Sequence, residues 1–286
     1  MSALRTVDYT AANAADLFTE SIKATGFAVL RHHPLCTTRL VRMYADWAHF
    51  FSSPTRHEYT HDKAAPDGNQ HGYFPPAQAE TAVGHAVADI KEYFHATLGG
   101  VLPEKLAHDV DRHRSEALAL ARILLGWLDA ALPPDCRQAE HVVLADVASL
   151  EDSLLRVLRY PPLAGDEPAG SMRAAAHEDI NLITLLPVAD QPGLEVQLHG
   201  GDWVAVDGAA GDLIINTGDM LQEYSGGAIP STTHRVVNPD DGGNVARIAI
   251  PFFVAPTLST RLSPRYSAGE YLRQRIRDNY TPSATA

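Results

Sequence analysis

Two histidines and an aspartate carry the most specific chemistry in this chain. His177-Glu-Asp179 stands just before a strand-like run, and in extended backbone residues i and i+2 point to the same side. An imidazole and a carboxylate are thereby set side by side, with Glu178 facing away. His234, in Ser231-Thr-Thr-His-Arg-Val236 at the head of another expected strand, is the best third ligand. Two histidines and one carboxylate on one face leave three metal positions open, the donor set of non-haem iron(II) oxygenases. Those openings admit O2 and a chelating cosubstrate. A solvated surface loop is the alternative for a lone His-x-Asp in a chain with 14 histidines.

Arg247 adds to the constellation. It interrupts the otherwise apolar Val245-Ala-Arg-Ile-Ala-Ile250, and a guanidinium in such a strand needs a carboxylate partner or stays expensively unpaired. A structural ion pair with one of the chain's acidic residues would supply it. So would the carboxylate of a dicarboxylic cosubstrate, gripped in bidentate fashion.

These residues need a rigid frame, and the chain divides into two stretches that could build one. In residues 1–150, apolar residues recur at helical spacing over Ala11 to Thr25 and Leu35 to Phe51, with Phe27 to Leu30 as a short strand between them. Leu102-Pro103 opens a long helix that runs to about Leu132, where Pro133-Pro134 stops it. A further helix is expected over Arg137 to Leu150, and a mobile loop over Thr60 to Gly72. After Glu151 come short runs separated by Gly, Pro, Asp and Asn: Leu154 to Tyr160, Leu182 to Leu186, Leu194 to Gln197, Trp203 to Val206, Leu213 to Asn216, His234 to Val237 and Val245 to Val254. Strands at such spacing predict a β-sandwich or barrel flanked by helices, an α+β fold. Gly200-Gly201 is the expected turn of a hairpin between Leu194 and Trp203, and Ser267 with Glu270 the expected cap of a C-terminal helix.

Composition bounds the rest. With 286 residues, 45% of them hydrophobic, the chain can bury a sizeable core and is expected to form one structural unit, residues 1–150 packing on a β-core of residues 151–286. Its 23 basic and 35 acidic residues leave a net charge of -12. That balance and the lack of a basic run argue against nucleic acid and against an anionic membrane surface as partners. No leader and no apolar run of about 20 residues is evident, so a cytosolic protein is expected. Cys36 and Cys136 are expected to be free thiols.

Across nearly its whole length the chain resembles the isopenicillin N synthase-like and plant-type 2-oxoglutarate/iron(II) dioxygenases. The matching pieces are Arg159-Tyr-Pro-Pro162, His177-Glu-Asp-Ile-Asn-Leu-Ile-Thr-Leu-Leu186, Pro192-Gly-Leu-Glu-Val196, Gly218-Asp-Met-Leu-Gln222, Ser231-Thr-Thr-His-Arg-Val236 and Arg247. Gly26-Phe-Ala-Val29, Phe50-Phe51, Gly72-Tyr73 and Asp89-Ile-Lys-Glu-Tyr-Phe94 match the family's N-terminal region. The resemblance implies a double-stranded β-helix, or jelly-roll, core. It implies iron(II) on His177, Asp179 and His234, and 2-oxoglutarate with its far carboxylate on Arg247. Tyr160 falls where the family often has a tyrosine that hydrogen-bonds a carboxylate; a core tyrosine is the other reading.

One departure matters. The family usually reads Arg-x-Ser, with the serine hydroxyl sharing the carboxylate, where this chain has Arg247-Ile-Ala249. The missing hydrogen bond is worth about 1 to 2 kcal/mol. Ala249 also leaves open an oxidase of the isopenicillin N synthase kind, which does without 2-oxoglutarate. A zinc hydrolase lacks its HExxH, and a metal-free binding module would leave the triad idle. Hydroxylation of a C–H bond in a small molecule such as an amino acid, peptide or secondary metabolite is the expected activity. The substrate pocket is expected between the β-core and the N-terminal helices, with Tyr73, Phe74 and Met220 to Tyr224 as candidate lining.

Overall fold

The computed structural model describes residues 4–62, 70–78, 87–139, 141–239 and 243–280. The chain begins with β1 (Thr6–Asp8), α1 (Ala14–Thr25), β2 (Phe27–Arg31) and α2 (Thr37–Ser52), then β3 (Gly72–Phe74), β4 (Glu92–Ala96), α3 (Glu104–Ala131), the single turn α4 (Leu144–Val147) and the long strand β5 (Ala148–Tyr160). It continues with β6 (Ala174–His177), β7 (Ile183–Pro187), β8 (Leu194–Gln197), β9 (Trp203–Ala205), β10 (Leu213–Thr217), α5 (Asp219–Tyr224), β11 (His234–Val236), β12 (Arg247–Ala249), β13 (Phe252–Pro256) and α6 (Ala268–Tyr280).

The strands form the two sheets of a jelly roll with flanking helices, the α+β architecture expected. The larger has nine strands in the order β1-β2-β10-β7-β13-β5-β4-β3, with β12 also on β5; the smaller runs β6-β11-β8-β9. Period-two alternation sorts the side chains of the large sheet. Ala28, Leu30, Leu155, Val157, Ile183, Leu185, Phe252 and Val254 join the helices in the main core. Their neighbours Val29, Leu158, Tyr160, Ile214 and Ala249 face the small sheet and pack with its Ala174, Leu194, Val196 and Val236. Arg247 shares that inner face, two residues before Ala249.

Local chemistry explains most boundaries. Gly26 ends α1 at φ +70°, its N–H returning to Ile22 O at 2.8 Å. Ser267 and Glu270 exchange hydrogen bonds as a capping box for α6. Gln197 and Trp203 pair across the expected hairpin. Residues 137–150 are not the expected helix: among the described residues there only Leu144–Val147 are α-helical, and β5 begins at Ala148. Distant groups take the backbone there. Asp129 accepts from Leu144 N–H at 2.6 Å, and the Tyr224 hydroxyl donates to Val142 O at 2.9 Å. The run Val245 to Val254 is two strands, split around Ile250-Pro251. Of the expected loop over Thr60 to Gly72, residues 63–69 lie outside the described residues. No helix among the described residues is long and apolar enough to cross a membrane. Cys36 and Cys136 are free.

Candidate metal and cosubstrate site

Strand pairing assembles the triad. β6 and β11 run antiparallel with His177 directly opposite His234, so both imidazoles project from the same face, ring centres 4.4 Å apart. The strand ends at His177 and Asp179 follows in the segment just beyond it, where the two side chains converge. Asp219 N–H holds that segment by donating to Asp179 O at 2.7 Å. Gly218 packs against it so closely that a Cβ would lie 2.4 Å from Asn181 O and 2.8 Å from Asp179 O. Glu178 points elsewhere, accepting from the Thr233 hydroxyl at 3.0 Å.

Each ligand candidate has one atom tied and one free. His177 Nδ1 lies 2.8 Å from Ala175 O and His234 Nδ1 3.1 Å from Thr232 O. Carbonyls only accept, so both rings donate from Nδ1 and leave Nε2 to serve a metal. Asp179 Oδ2 accepts from the Thr184 hydroxyl at 2.5 Å and from Asn216 Nδ2 at 2.7 Å, while Oδ1 lies 3.9 Å from His234 Nε2. One donor atom from each residue falls within 4.8 Å of the others. His177 is exposed as a residue, and the protein packed around its ring, then the neighbouring His234, pushes its pKa down to about 4. It is neutral at physiological pH. Burial works to raise the Asp179 pKa, but the two imidazoles and the Thr184 and Asn216 hydrogen bonds outweigh it and keep the group a carboxylate. Two imidazole nitrogens and one carboxylate oxygen suit a divalent first-row metal such as iron(II).

Further along the inner face, Arg247 pairs with Tyr160 across β12 and β5, its guanidinium carbon 5.5 Å from the ring centre. Arg247 is 3% exposed. Its Nε donates to Gln191 O at 3.0 Å, and its buried Nη1 has no partner. The structural ion pair is therefore absent among the described residues, and an orphaned donor remains that suits a carboxylate. Burial pushes the Tyr160 pKa up, against the pull of Arg247, so the hydroxyl stays protonated. Ala249, on the same face, offers no hydroxyl.

Two further residues stand around the site: Arg173, which carried no sequence signal, and Asp89, which entered only within the family-like stretch Asp89 to Phe94. Arg173 is buried, and its Nη2 donates to Val245 O, two residues before Arg247. Asp89 accepts from Ala175 N–H at 3.0 Å and from Lys91 Nζ at 2.8 Å, anchoring β6 just before His177. Of the candidate lining, Phe74 does stack on Tyr93 at 4.7 Å within the inner cluster. Tyr73 and the buried residues of Met220 to Tyr224 instead belong to the main core. The Tyr73 hydroxyl is taken by Glu92 at 2.5 Å.

Residues 151–256 match the family profile of the 2OG-Fe(II) oxygenase superfamily. The chain is 31% identical to the proline hydroxylase buaE of Petromyces alliaceus, over 77% of this chain and 73% of that protein. An oxygenase candidate from Shewanella oneidensis, solved at 2.20 Å, superposes with a TM-score of 0.84 at 40% identity, covering 96% of this chain and 98% of that one. A full-length Neurospora crassa protein solved in complex with alpha-KG shares the fold at a TM-score of 0.78 and 22% identity, covering 95% of both chains. The chain belongs to the 2OG-Fe(II) oxygenase superfamily. It is an iron(II)- and 2-oxoglutarate-dependent dioxygenase, with O2 as the oxidant.

Proposed function

We propose that His177, Asp179 and His234 hold the iron(II), that Arg247 and Tyr160 receive the far carboxylate of 2-oxoglutarate, and that the protein hydroxylates a C–H bond of a small molecule, such as an amino acid, peptide or secondary metabolite, bound between the two sheets. The observation that carries this reading is the division of labour in the triad: each residue has one polar atom spent on the protein and one directed at a shared point. The buried, unpartnered Arg247 Nη1 supports the cosubstrate half. When bound, iron and 2-oxoglutarate supply an oxidation by O2 that yields hydroxylated product, succinate and CO2. The protein's part is to fix the three donors, neutralise the far carboxylate and exclude bulk water with the apolar residues around Ala174, Leu158 and Val196.

The test is an anaerobic titration of metal-free protein with iron(II) and 2-oxoglutarate. A visible metal-to-ligand charge-transfer band is expected, and its loss in His177→Ala. Bound iron without that band would overturn the cosubstrate assignment in favour of an oxidase that draws its electrons from the substrate, the reading Ala249 would then support.

A further inference from the structure

Arg173 precedes β6 and is 2% exposed. Its Nη2 donates to Val245 O at 2.6 Å, and its buried Nε has no partner. Burial lowers its pKa first, and the nearby charge of Arg247 lowers it further. Val245 stands two residues before Arg247, so the bond to it ties the buried Arg173 guanidinium to the same short stretch of chain that carries the buried Arg247. Neither has a carboxylate within 4.0 Å among the described residues; the acidic residue that influences Arg173, Asp190, is exposed and forms no ion pair with it. One buried, unpaired cation is costly, and a second beside it adds repulsion. An anion placed between them would relieve both costs. The only hydroxyl within the Arg-x-Ser pattern is missing at Ala249, so the anion site has lost one neutral donor and kept two cations.

We propose that Arg173 is a positioning residue for 2-oxoglutarate: its guanidinium and that of Arg247 flank the far carboxylate and replace the serine hydroxyl that Ala249 lacks. This rests on the cosubstrate assignment above. A charge-assisted contact in a buried site is worth more than the neutral one it replaces, so the substitution of serine by alanine need not weaken binding.

The experiment compares wild type, Arg173→Gln and Arg173→Lys in the anaerobic iron(II) titration, using 2-oxoglutarate and 2-oxobutyrate, which keeps the chelating end but has no far carboxylate. For Arg173→Gln the apparent Kd for 2-oxoglutarate is expected to rise about ten- to a hundredfold, as for loss of a charged hydrogen bond, with that for 2-oxobutyrate unchanged. Arg173→Lys, which keeps the charge and loses the fork, is expected to fall between, and serves as the reading should the glutamine variant not fold. Without ligand the melting temperature of Arg173→Gln should equal or exceed that of wild type, because a buried unpaired charge is gone; the gain on adding 2-oxoglutarate should shrink. A 2-oxoglutarate Kd within twofold of wild type in both variants would sink the proposal, as would an equal loss for both ligands, which would make Arg173 only a clamp on Val245. Absence of the band in wild type would instead remove the cosubstrate assignment itself.

Discussion

The setting of Asp179 depends on residues outside the proposed metal triad. Its Oδ2 is held by Thr184 and Asn216, which face each other across β7 and β10. Replacing Thr184 with the isosteric valine removes one of these donors without opening a cavity and lets the carboxylate swing. Iron(II) affinity, measured by chelator competition, is expected to fall about ten- to a hundredfold, the usual effect of losing an outer-shell partner. An unchanged affinity would mean that Asn216 alone fixes the group. Neither Thr184 nor Asn216 was legible in the sequence, where each is an ordinary polar residue on a strand, and its importance arises only from the register that sets them opposite. His177, Asp179, His234 and Arg247 could be read because each breaks or borders an apolar run at a spacing with chemical meaning. Arg173 lies in Ser171-Met-Arg173, outside any strand pattern, so its proximity to Arg247 is a property of the folded chain alone.

Among the elements, the positioning of Asp179 rests on the contact between its segment and the start of α5. Gly218 allows that contact, and the obstacles to a side chain there are mostly backbone atoms that cannot yield. Gly218→Ala is expected to destabilise the protein by about 1 to 3 kcal/mol, the typical cost of overpacking, and to weaken iron(II) binding with it. Denaturant midpoints with and without iron would check this; unchanged values for both would show that the segment can shift freely. The long helices α1, α2 and α3 were legible because each spans enough turns to display its apolar face. The strands β1 and β3, three residues each, cannot display alternation, and β4 buries every residue and so has none to show. Residues 137–150 were misread because their backbone is satisfied by Asp129 and Tyr224, partners remote in sequence. The β6 strand went unread for a related reason: Ala174-Ala-Ala176 has no pattern of its own and becomes a strand by pairing with β11.

At the scale of the whole molecule, strands from residues 1–150 and 151–280 share one sheet, and α3 lies across its outer face. The helical layer has a titratable weak point in His113 of α3, 2% exposed, with Nε2 unpartnered. Burial pushes its pKa down to about 4, and the charge of Arg39 lowers it further, against the opposing pull of Glu116; His33 adds a small lowering. The folded protein thus holds this imidazole neutral, while an unfolded chain protonates it near the ordinary histidine value of about 6.5. Unfolding therefore takes up a proton between those two values, and the stabilisation, complete above pH 6.5, is lost as the pH falls toward 4. The full span is worth about 3 kcal/mol. His113→Leu removes the proton site while filling much of the same volume, so the metal-free variant should lose less stability than wild type between pH 7 and pH 4.5, by about 2 to 3 kcal/mol in urea titrations. Parallel pH profiles for the two proteins would place the acid sensitivity elsewhere, in His33 or His71, whose pKa values burial also lowers.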